Sequence, residues 1–181
     1  MKKILLSLLC IVVYVANAQS QFGIINYTLP EGWYARQLGS DIELVKKGDE
    51  NSGCKIILFQ QVNTVVDSEK KYAGLWALKS MNNFKTQKKT PVVKTEEEGW
   101  ISFSGSATDG KNNEAFYTLS NGSKTAMILV ASPRGSCTDE IDGILATIHI
   151  PEKETGSKTK TKTKAKKVRV LPLKSLKALV N

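Results

Sequence analysis

The sequence predicts an α+β domain in which an antiparallel β-sheet is covered by helices, and three observations lead to this prediction. Residues 100–132 have the pattern of three consecutive strands joined by two polar turns that contain glycine. A second strand pair, at residues 41–45 and 54–62, flanks a polar loop with two glycines. Two stretches, residues 67–84 and 138–149, have the period of amphipathic helices. Hairpin-connected strands with two such helices indicate an antiparallel sheet with helices packed on its faces.

Residues 1–18 contain the three parts of a secretory signal peptide. Two lysines supply a positive start, residues 4–15 form a short apolar core, and residues 16–18 (ANA) form a small-x-small cleavage site. A membrane-spanning helix needs about 20 apolar residues, more than this core provides. We therefore expect cleavage after Ala18 and export to the periplasm or the exterior.

The charge of the mature chain is divided unevenly at about residue 152. Residues 19–152 contain 14 Lys and Arg against 16 Asp and Glu, a net charge of −2, whereas residues 153–181 contain ten against one, a net charge of +9. The basic pI of the whole chain is therefore no argument that the domain binds nucleic acid. We expect a single domain at residues 19–152, a disordered Lys/Thr-rich linker at residues 153–167 and a short amphipathic segment at residues 168–181.

The first half of the domain is predicted to contain strands followed by one helix. Residues 21–28 predict a first strand, and residues 33–37 predict a second strand after a turn at residues 29–32. Within residues 67–84, small and apolar side chains recur at the spacing of one helical face. This predicted buried face consists of Ala73, Trp76, Ala77, Ser80, Met81 and Phe84.

The second half is predicted to contain a strand at residues 90–95, the three-strand meander and a closing helix. Residues 125–131 (TAMILVA) are the most apolar run of the mature chain, which predicts a central strand. The Asn-Gly pair in the turn before this run favours a tight hairpin, because both residues can adopt positive φ. Residues 136–139 resemble a capping box at the start of the helix. The predicted apolar face of the closing helix consists of Ile141, Ile144, Leu145 and Ile148.

Two cysteines, Cys54 and Cys137, remain after the predicted cleavage. An even pair in an oxidising compartment favours a disulfide, although two buried thiols remain the alternative interpretation. Cys137 also lies near the predicted start of a helix, where the pKa of a thiol can be lowered. A reactive thiol is therefore a third interpretation of this residue.

Few residues of the domain have the pattern of a catalytic, cofactor or metal site. His149 is the single histidine, so a multi-histidine metal site cannot form. On one helix Cys137 and His149 would lie about 18 Å apart, too far for a catalytic dyad. The sequence contains neither a Gly-rich phosphate loop nor a G-x-S-x-G motif. We assign no catalytic, cofactor-binding or metal-binding residue, and we favour a non-enzymatic role.

The feature of the sequence that most clearly suggests a function is the basic tail, residues 153–181. A flexible polycation next to an apolar segment can hold a protein on an anionic membrane or polysaccharide surface. A solubilising terminus is the alternative, and nucleic acid is a poor candidate because an exported chain rarely meets it. The residues predicted to contact an anionic surface are Lys158, Lys160, Lys162, Lys164, Lys166, Lys167 and Arg169.

The motif LPEGW near the start is followed by a strand hairpin, a helix with a tryptophan, a meander and a closing helix. This order resembles the PsbP-like α/β/α sandwich, a fold shared by the photosystem II extrinsic protein, DcrB-type envelope lipoproteins and a Ran-binding transport factor. The resemblance spans about residues 22–150 and implies an antiparallel sheet between helices. It also implies a non-catalytic binding or accessory module, with no catalytic residues to carry over. Its most family-like residues are Leu29, Pro30, Gly32, Trp33 and Trp76.

Three hypotheses about function follow from these observations. The leading one is an exported accessory domain that binds a protein or envelope component, with the basic tail on an anionic surface. The second is a small envelope enzyme with a pocket between sheet and helix, using Cys54 or Cys137. The third is a structural or secretion-related module whose C-terminus docks a partner.

Overall fold

The computed structural model of the protein describes residues 19–51, 53–80, 88–97 and 99–150. The predicted signal peptide, the linker and the C-terminal segment lie outside the described residues, and so do all seven basic residues proposed for surface contact.

The most apolar run of the chain forms the middle strand of an eight-stranded antiparallel sheet. This strand, β10 (Thr125–Pro133), pairs with β5 (Lys55–Val62) on one side and with β9 (Asn112–Ser120) on the other. The strand order is β3-β4-β5-β10-β9-β8-β6, and β7 also pairs with β8. The prediction of a central strand within an antiparallel α+β sheet is confirmed. The other strands are β3 (Trp33–Leu38), β4 (Asp41–Lys46), β6 (Lys88–Lys89), β7 (Val93–Glu97) and β8 (Trp100–Thr108).

Local side-chain hydrogen bonds form the two turns of the β8–β9–β10 meander. In the first turn, a carboxylate oxygen of Asp109 accepts the backbone N–H groups of Lys111 and Asn112 at 2.8 and 2.6 Å. In the second, the amide oxygen of Asn121 accepts the backbone N–H of Lys124 at 2.9 Å, and Gly122 has φ +80°. Side chains of Asn and Asp commonly stabilise turns in this way. These polar residues therefore shape the meander.

One face of the sheet is covered by helix α2 (Thr138–Thr147) and by a separate hairpin of β1 (Gln19–Phe22) and β2 (Ile25–Thr28). The hairpin is joined to the end of α2, because the Thr147 hydroxyl accepts the backbone N–H of Thr28 at 2.9 Å while it donates to the Ile144 carbonyl of the helix at 2.8 Å. The predicted apolar face of the closing helix is confirmed, since all four of its residues are buried. The core on this side includes Ile25, Leu44, Ile56, Tyr117, Ile128, Ile141 and Ile144.

The opposite face of the sheet is covered by helix α1 (Glu69–Lys79), which buries Tyr72 and Trp76. The Tyr72 hydroxyl donates a 2.7 Å hydrogen bond to the backbone carbonyl of Phe116 on β9. Gly105 on β8 allows this close approach, because a Cβ there would lie 3.1 Å from both Trp76 and Tyr72. An aromatic cluster therefore joins the helix to the sheet, and it consists of Phe59, Tyr72, Trp76, Phe103 and Phe116.

Three details of the sequence prediction are wrong. Residues 21–28 form two strands, because Gly23 at φ +57° turns the chain back. Helix α1 buries Trp76 as predicted but exposes Ala73 and Ala77 and buries Tyr72, because a large side chain fills the space above the sheet that alanine cannot. Two other members of the predicted face, Met81 and Phe84, lie outside the described residues. The capping box at residues 136–139 does not form, since Cys137 is the N-cap and makes no side-chain capping bond.

The central strand provides a test of the fold. We expect Ile128→Ala to lower the free energy of unfolding by about 2–5 kcal/mol, because it leaves a cavity where the side chain is fully buried. The matched control is Leu78→Ala, since Leu78 is 80% exposed on α1 and its truncation should change stability by less than about 0.5 kcal/mol. Chemical denaturation followed by circular dichroism measures both, and equal effects would contradict the placement of β10.

Candidate functional site

A disulfide joins the sheet to helix α2. Cys54 directly precedes β5, Cys137 is the N-cap of α2, and their Cα atoms lie 6.3 Å apart. The hydroxyl of Ser136 lies 3.7 Å from the Cys54 sulfur and donates to the Pro133 carbonyl at 3.1 Å. The bond closes a loop of 83 residues, for which chain entropy predicts a stabilisation of about 4–5 kcal/mol.

The disulfide decides among the three interpretations of the cysteine pair. Both sulfur atoms are bonded to each other, so the oxidised protein offers no thiolate nucleophile at Cys54 or Cys137. The backbone of Cys137 has φ +49°, a left-handed conformation that residues other than glycine rarely adopt. The cysteine pair is therefore a structural element, and the thiol mechanism considered for an enzyme does not apply to the oxidised protein.

A charged cluster continues this connection along the first turn of α2. Glu140 accepts a 2.7 Å hydrogen bond from the Lys46 ammonium on β4 and a 3.0 Å hydrogen bond from the Trp33 indole on β3. These two bonds hold the pKa of the Glu140 carboxyl below its usual value. Lys46 and Glu140 are both well exposed, so their ion pair contributes little to stability by itself. The cluster fixes where the start of α2 lies on the sheet.

A second carboxylate lies under helix α1 and is fully buried. Glu114 on β9 accepts a 2.7 Å hydrogen bond from the indole N–H of Trp76. The ammonium of Lys89 lies 5.7 Å from the centre of the Trp76 ring. A buried carboxylate is costly unless polar partners hold it, so this contact fixes the helix in register with the sheet.

The tyrosines near this carboxylate are held in their neutral form. Burial raises the pKa of Tyr72 far above its usual value, and the nearby Tyr117 and Glu114 charges add to the effect. Burial likewise raises the pKa of Tyr117, on the opposite face of the sheet. Because the Tyr72 hydroxyl is committed to a backbone carbonyl, it serves as a hydrogen-bond donor and not as a general base.

Sequence reasoning missed Glu114, although a signal was present. Glu114 alternates with Phe116 and Thr118 along β9, so it belongs to the same inward face as two buried residues. An acidic residue in register with a buried face requires a polar partner from the covering element. Trp76, which the sequence assigned to that covering helix, supplies the partner.

A third charged group lies on strands β3, β4 and β5, on the same face as α1. Arg36 donates to Glu43 at 2.6 Å, and the Lys55 ammonium lies 3.5 Å from the other oxygen of Glu43. The Glu43 carboxylate is only 4% exposed, so two cations neutralise a nearly buried charge. Beside this group the Tyr34 hydroxyl donates to Glu50 at 3.2 Å. These contacts stabilise the β3–β4–β5 part of the sheet.

His149 has a structural role at the junction of α2 and the β1–β2 hairpin. Its Nδ1 lies 3.0 Å from the Thr147 carbonyl, and its Nε2 lies 2.8 Å from the side-chain nitrogen of Gln19. Because a carbonyl only accepts, the proton of the neutral ring lies on Nδ1, and Nε2 accepts from Gln19. His149 also exchanges two backbone hydrogen bonds with Asn26. The imidazole is thus tied to the hairpin.

The described residues contain neither a metal-binding cluster nor a membrane-spanning helix. Within residues 19–51, 53–80, 88–97 and 99–150, no group of three or more His, Cys, Asp or Glu side chains converges to hold a metal ion. In the same part of the chain, no helix is long and apolar enough to cross a membrane.

Comparison with solved structures identifies the fold. The chain superposes on the cyanobacterial PsbP protein (CyanoP) of Synechocystis with a TM-score of 0.52 and 10% identity, over 74% of this chain and 93% of that one. A Bacteroides thetaiotaomicron protein superposes with a TM-score of 0.46 and 12% identity, over 75% of this chain and 47% of that one. The Ran-binding protein Mog1p of Saccharomyces cerevisiae superposes with a TM-score of 0.44 and 11% identity, over 75% of this chain and 96% of that one. No family model and no curated protein matches the sequence. The chain therefore has the PsbP-like fold, as the sequence resemblance implied.

The left-handed backbone of Cys137 leads to a prediction about the disulfide. We expect Cys54→Ala with Cys137→Ala to lower the free energy of unfolding by about 2–5 kcal/mol. Replacing Cys137 by glycine in the same Cys54→Ala background should recover about 1–2 kcal/mol, since glycine adopts positive φ without strain. Urea denaturation measures the difference. Equal stability of the two double variants would show that the left-handed conformation is not kept without the disulfide.

The two tryptophan–glutamate contacts provide a matched pair of variants. Trp33 and Trp76 are each 7% exposed, but Glu140 is near the surface and Glu114 is fully buried. Both Trp→Phe substitutions remove one N–H donor and a similar volume. We expect Trp76→Phe to cost about 1–3 kcal/mol more than Trp33→Phe, because it removes a donor from a buried carboxylate. Thermal and urea denaturation test this, and a larger loss for Trp33→Phe would refute the assigned role of Glu114.

Proposed function

We propose that this chain is an exported, non-catalytic binding or accessory domain whose basic C-terminal tail holds it on an anionic surface. The observation that carries the proposal is the division of charge, −2 for residues 19–152 and +9 for residues 153–181. A charge asymmetry of this size within one chain is typical of a folded module with an attached interaction tail.

The contacts of the domain support a non-catalytic role. The cysteine pair forms a disulfide, Glu140 binds Trp33 and Lys46, and Glu114 binds Trp76. In each case the contact joins a helix to the sheet. Catalytic acids and nucleophiles instead need a reacting atom within hydrogen-bond reach.

Two observations support export. The first 18 residues have the order of a signal peptide, with a basic start, an apolar core and a small-x-small site. The disulfide between Cys54 and Cys137 is of the kind that persists in the periplasm or outside the cell. We propose periplasmic or secreted localisation on this basis, with cleavage after Ala18.

The proposed affinity of the tail for an anionic surface comes from its positive charge and from its apolar end. Near an anionic membrane each Lys or Arg contributes up to about 1 kcal/mol, and the attraction falls off within a Debye length. Leucine and valine side chains of residues 168–181 can add apolar burial at the interface. An anionic polysaccharide would attract the same cations without offering apolar burial, so the two surfaces can be told apart.

The test compares the mature chain, residues 19–181, with a version that ends at Glu152. On vesicles that contain an anionic lipid we expect the mature chain to bind at least about tenfold tighter at low salt, a difference of about 1.4 kcal/mol. The difference should shrink steeply as salt rises. Cosedimentation measures binding, and lipopolysaccharide replaces the vesicles in a parallel series. Equal binding of both chains at low salt would overturn the role of the tail.

Three variants of the mature chain separate the contributions. Replacing the seven basic residues from Lys158 to Arg169 by glutamine lowers the net charge of residues 153–181 from +9 to +2 and should remove most of the difference. Changing Thr159, Thr161 and Thr163 to serine keeps the charge and should change nothing. Changing Leu173, Leu176 and Val180 to serine should weaken binding to vesicles and leave binding to lipopolysaccharide unaffected if apolar burial contributes. Loss of binding in the threonine variant would contradict an electrostatic mechanism.

A further inference from the structure

Strand β3 is an edge strand whose outer side is open. No described residue pairs with this side, and the four residues from Ala35 to Leu38 are all exposed. Leu38, at the end of the strand, is 46% exposed, although it is a large apolar side chain. An exposed edge of this kind offers a row of unpaired backbone groups to another strand.

The other edge of the sheet is protected against pairing with another strand, whereas β3 is not. There the edge is divided between β6 and β7, and the two strands are separated by a short segment that contains Pro91. Lys94 and Glu96 form an ion pair along β7. Interruption, proline and charge are the usual means by which proteins block edge pairing. Strand β3 is a continuous strand of six residues without proline.

The register of β3 on β4 determines which backbone groups point outward. The two strands are joined by the two-residue turn Gly39-Ser40, so the flanking pair Leu38↔Asp41 is a hydrogen-bonded pair. The pattern alternates every second residue and ends where the Lys47 N–H donates to the Gly32 carbonyl at 2.7 Å. Tyr34 and Arg36 therefore bond to β4, and the N–H and C=O groups of Ala35 and Gln37 point outward.

We propose that a second copy of this chain pairs with β3 across a two-fold axis, antiparallel and centred on Ala35. In this register Ala35 faces Ala35 of the second copy, and Gln37 faces Trp33. The Trp33 N–H already donates to the Pro30 carbonyl, so each Gln37–Trp33 pair forms one bond, from the Gln37 N–H to the Trp33 carbonyl. The Ala35 pair forms two bonds, so four backbone hydrogen bonds would join the two sheets.

Side-chain charge selects this register among the symmetric ones. Centring on Arg36 would place two guanidinium groups directly opposite each other, which is destabilising. Centring on Gln37 or Tyr34 would shorten the overlap of the two strands. In the Ala35-centred register each Arg36 faces Tyr34 of the second copy, whose hydroxyl is bonded to Glu50. Arg36 keeps the hydrogen bond from its Nε to Glu43, and the outer part of its guanidinium group then meets an aromatic ring and a carboxylate of the second copy. The edge is self-complementary in this register.

The first experiment is sedimentation of the mature chain at physiological salt, over about 1 μM to 1 mM, where interfaces below the standard size associate. We expect a monomer–dimer equilibrium. Ala35→Pro should remove the dimer and leave the monomer folded, because the N–H that proline lacks points away from β4. Ala35→Ser keeps that N–H and should keep the dimer. Circular dichroism and thermal denaturation verify that both variants are folded.

Amide hydrogen exchange in the same samples identifies the strand that pairs. As concentration rises, the amides of Ala35 and Gln37 should exchange more slowly. The amides of Tyr34 and Arg36 already bond to β4 and should not change. Protection that appears elsewhere and not on β3 would overturn the proposal.

A cross-linking experiment tests the register itself. In the proposed pairing the two Ala35 Cα atoms lie about 5.5 Å apart, within the range of a disulfide, so Ala35→Cys should give a covalent dimer under mild oxidation. The matched control is Gln37→Cys, because the Cα atoms of the two Gln37 residues would lie about 14 Å apart and the cysteines should not cross-link. A monomer at every concentration, a dimer that survives Ala35→Pro, or equal cross-linking of both variants would refute the proposal. Pairing of β3 with a strand of an unrelated protein or with residues 168–181 of the same chain would give the first of these results.

Discussion

The structure depends on the pairing of β5 with β10, which joins two halves of the domain that are far apart in sequence. β5 closes the β3–β4–β5 half, β10 ends the meander, and their pairing converts two small sheets into one. Contacts between strands so distant in sequence require a large loss of chain entropy before any apolar surface is buried. The Cys54–Cys137 disulfide lies next to the same pair, since Lys55 and Ala131 are the last partners in the register. The disulfide lowers the entropy of the unfolded chain by closing the long loop that separates β5 from β10.

The two helices are held to the sheet by the same pair of residue types used in opposite directions. On one face the sheet provides Trp33 and helix α2 provides Glu140. On the other face helix α1 provides Trp76 and the sheet provides Glu114. An indole brings a large apolar surface together with a single N–H donor, so it can pack and still supply a directional bond. This bond adds a directional contact to the apolar packing of each helix, beside the disulfide at α2 and the Tyr72 hydrogen bond at α1.

Chemistry and charge are segregated along the chain. Within the described domain the versatile side chains are engaged in holding the fold, and the net charge of residues 19–152 is close to zero. The surplus of positive charge belongs to residues 153–181. In the proposed function the folded domain and the tail therefore make different contacts, because residues 153–181 provide the positive charge and strand β3 provides an open edge.

The sequence by itself determined the fold class, the central strand, the meander turns and the buried face of α2, because these follow from local period and turn chemistry. Residues 125–131 are apolar throughout, and Ile141, Ile144, Leu145 and Ile148 recur at helical spacing. Only the tertiary structure decided the rest. The buried face of α1 depends on the space above Gly105, and the function of Glu114 depends on Trp76 of the helix that covers it. The disulfide depends on the approach of two cysteines that are 83 residues apart in the sequence. Such facts arise from distances between residues that are remote in the chain, and local periodicity does not contain those distances.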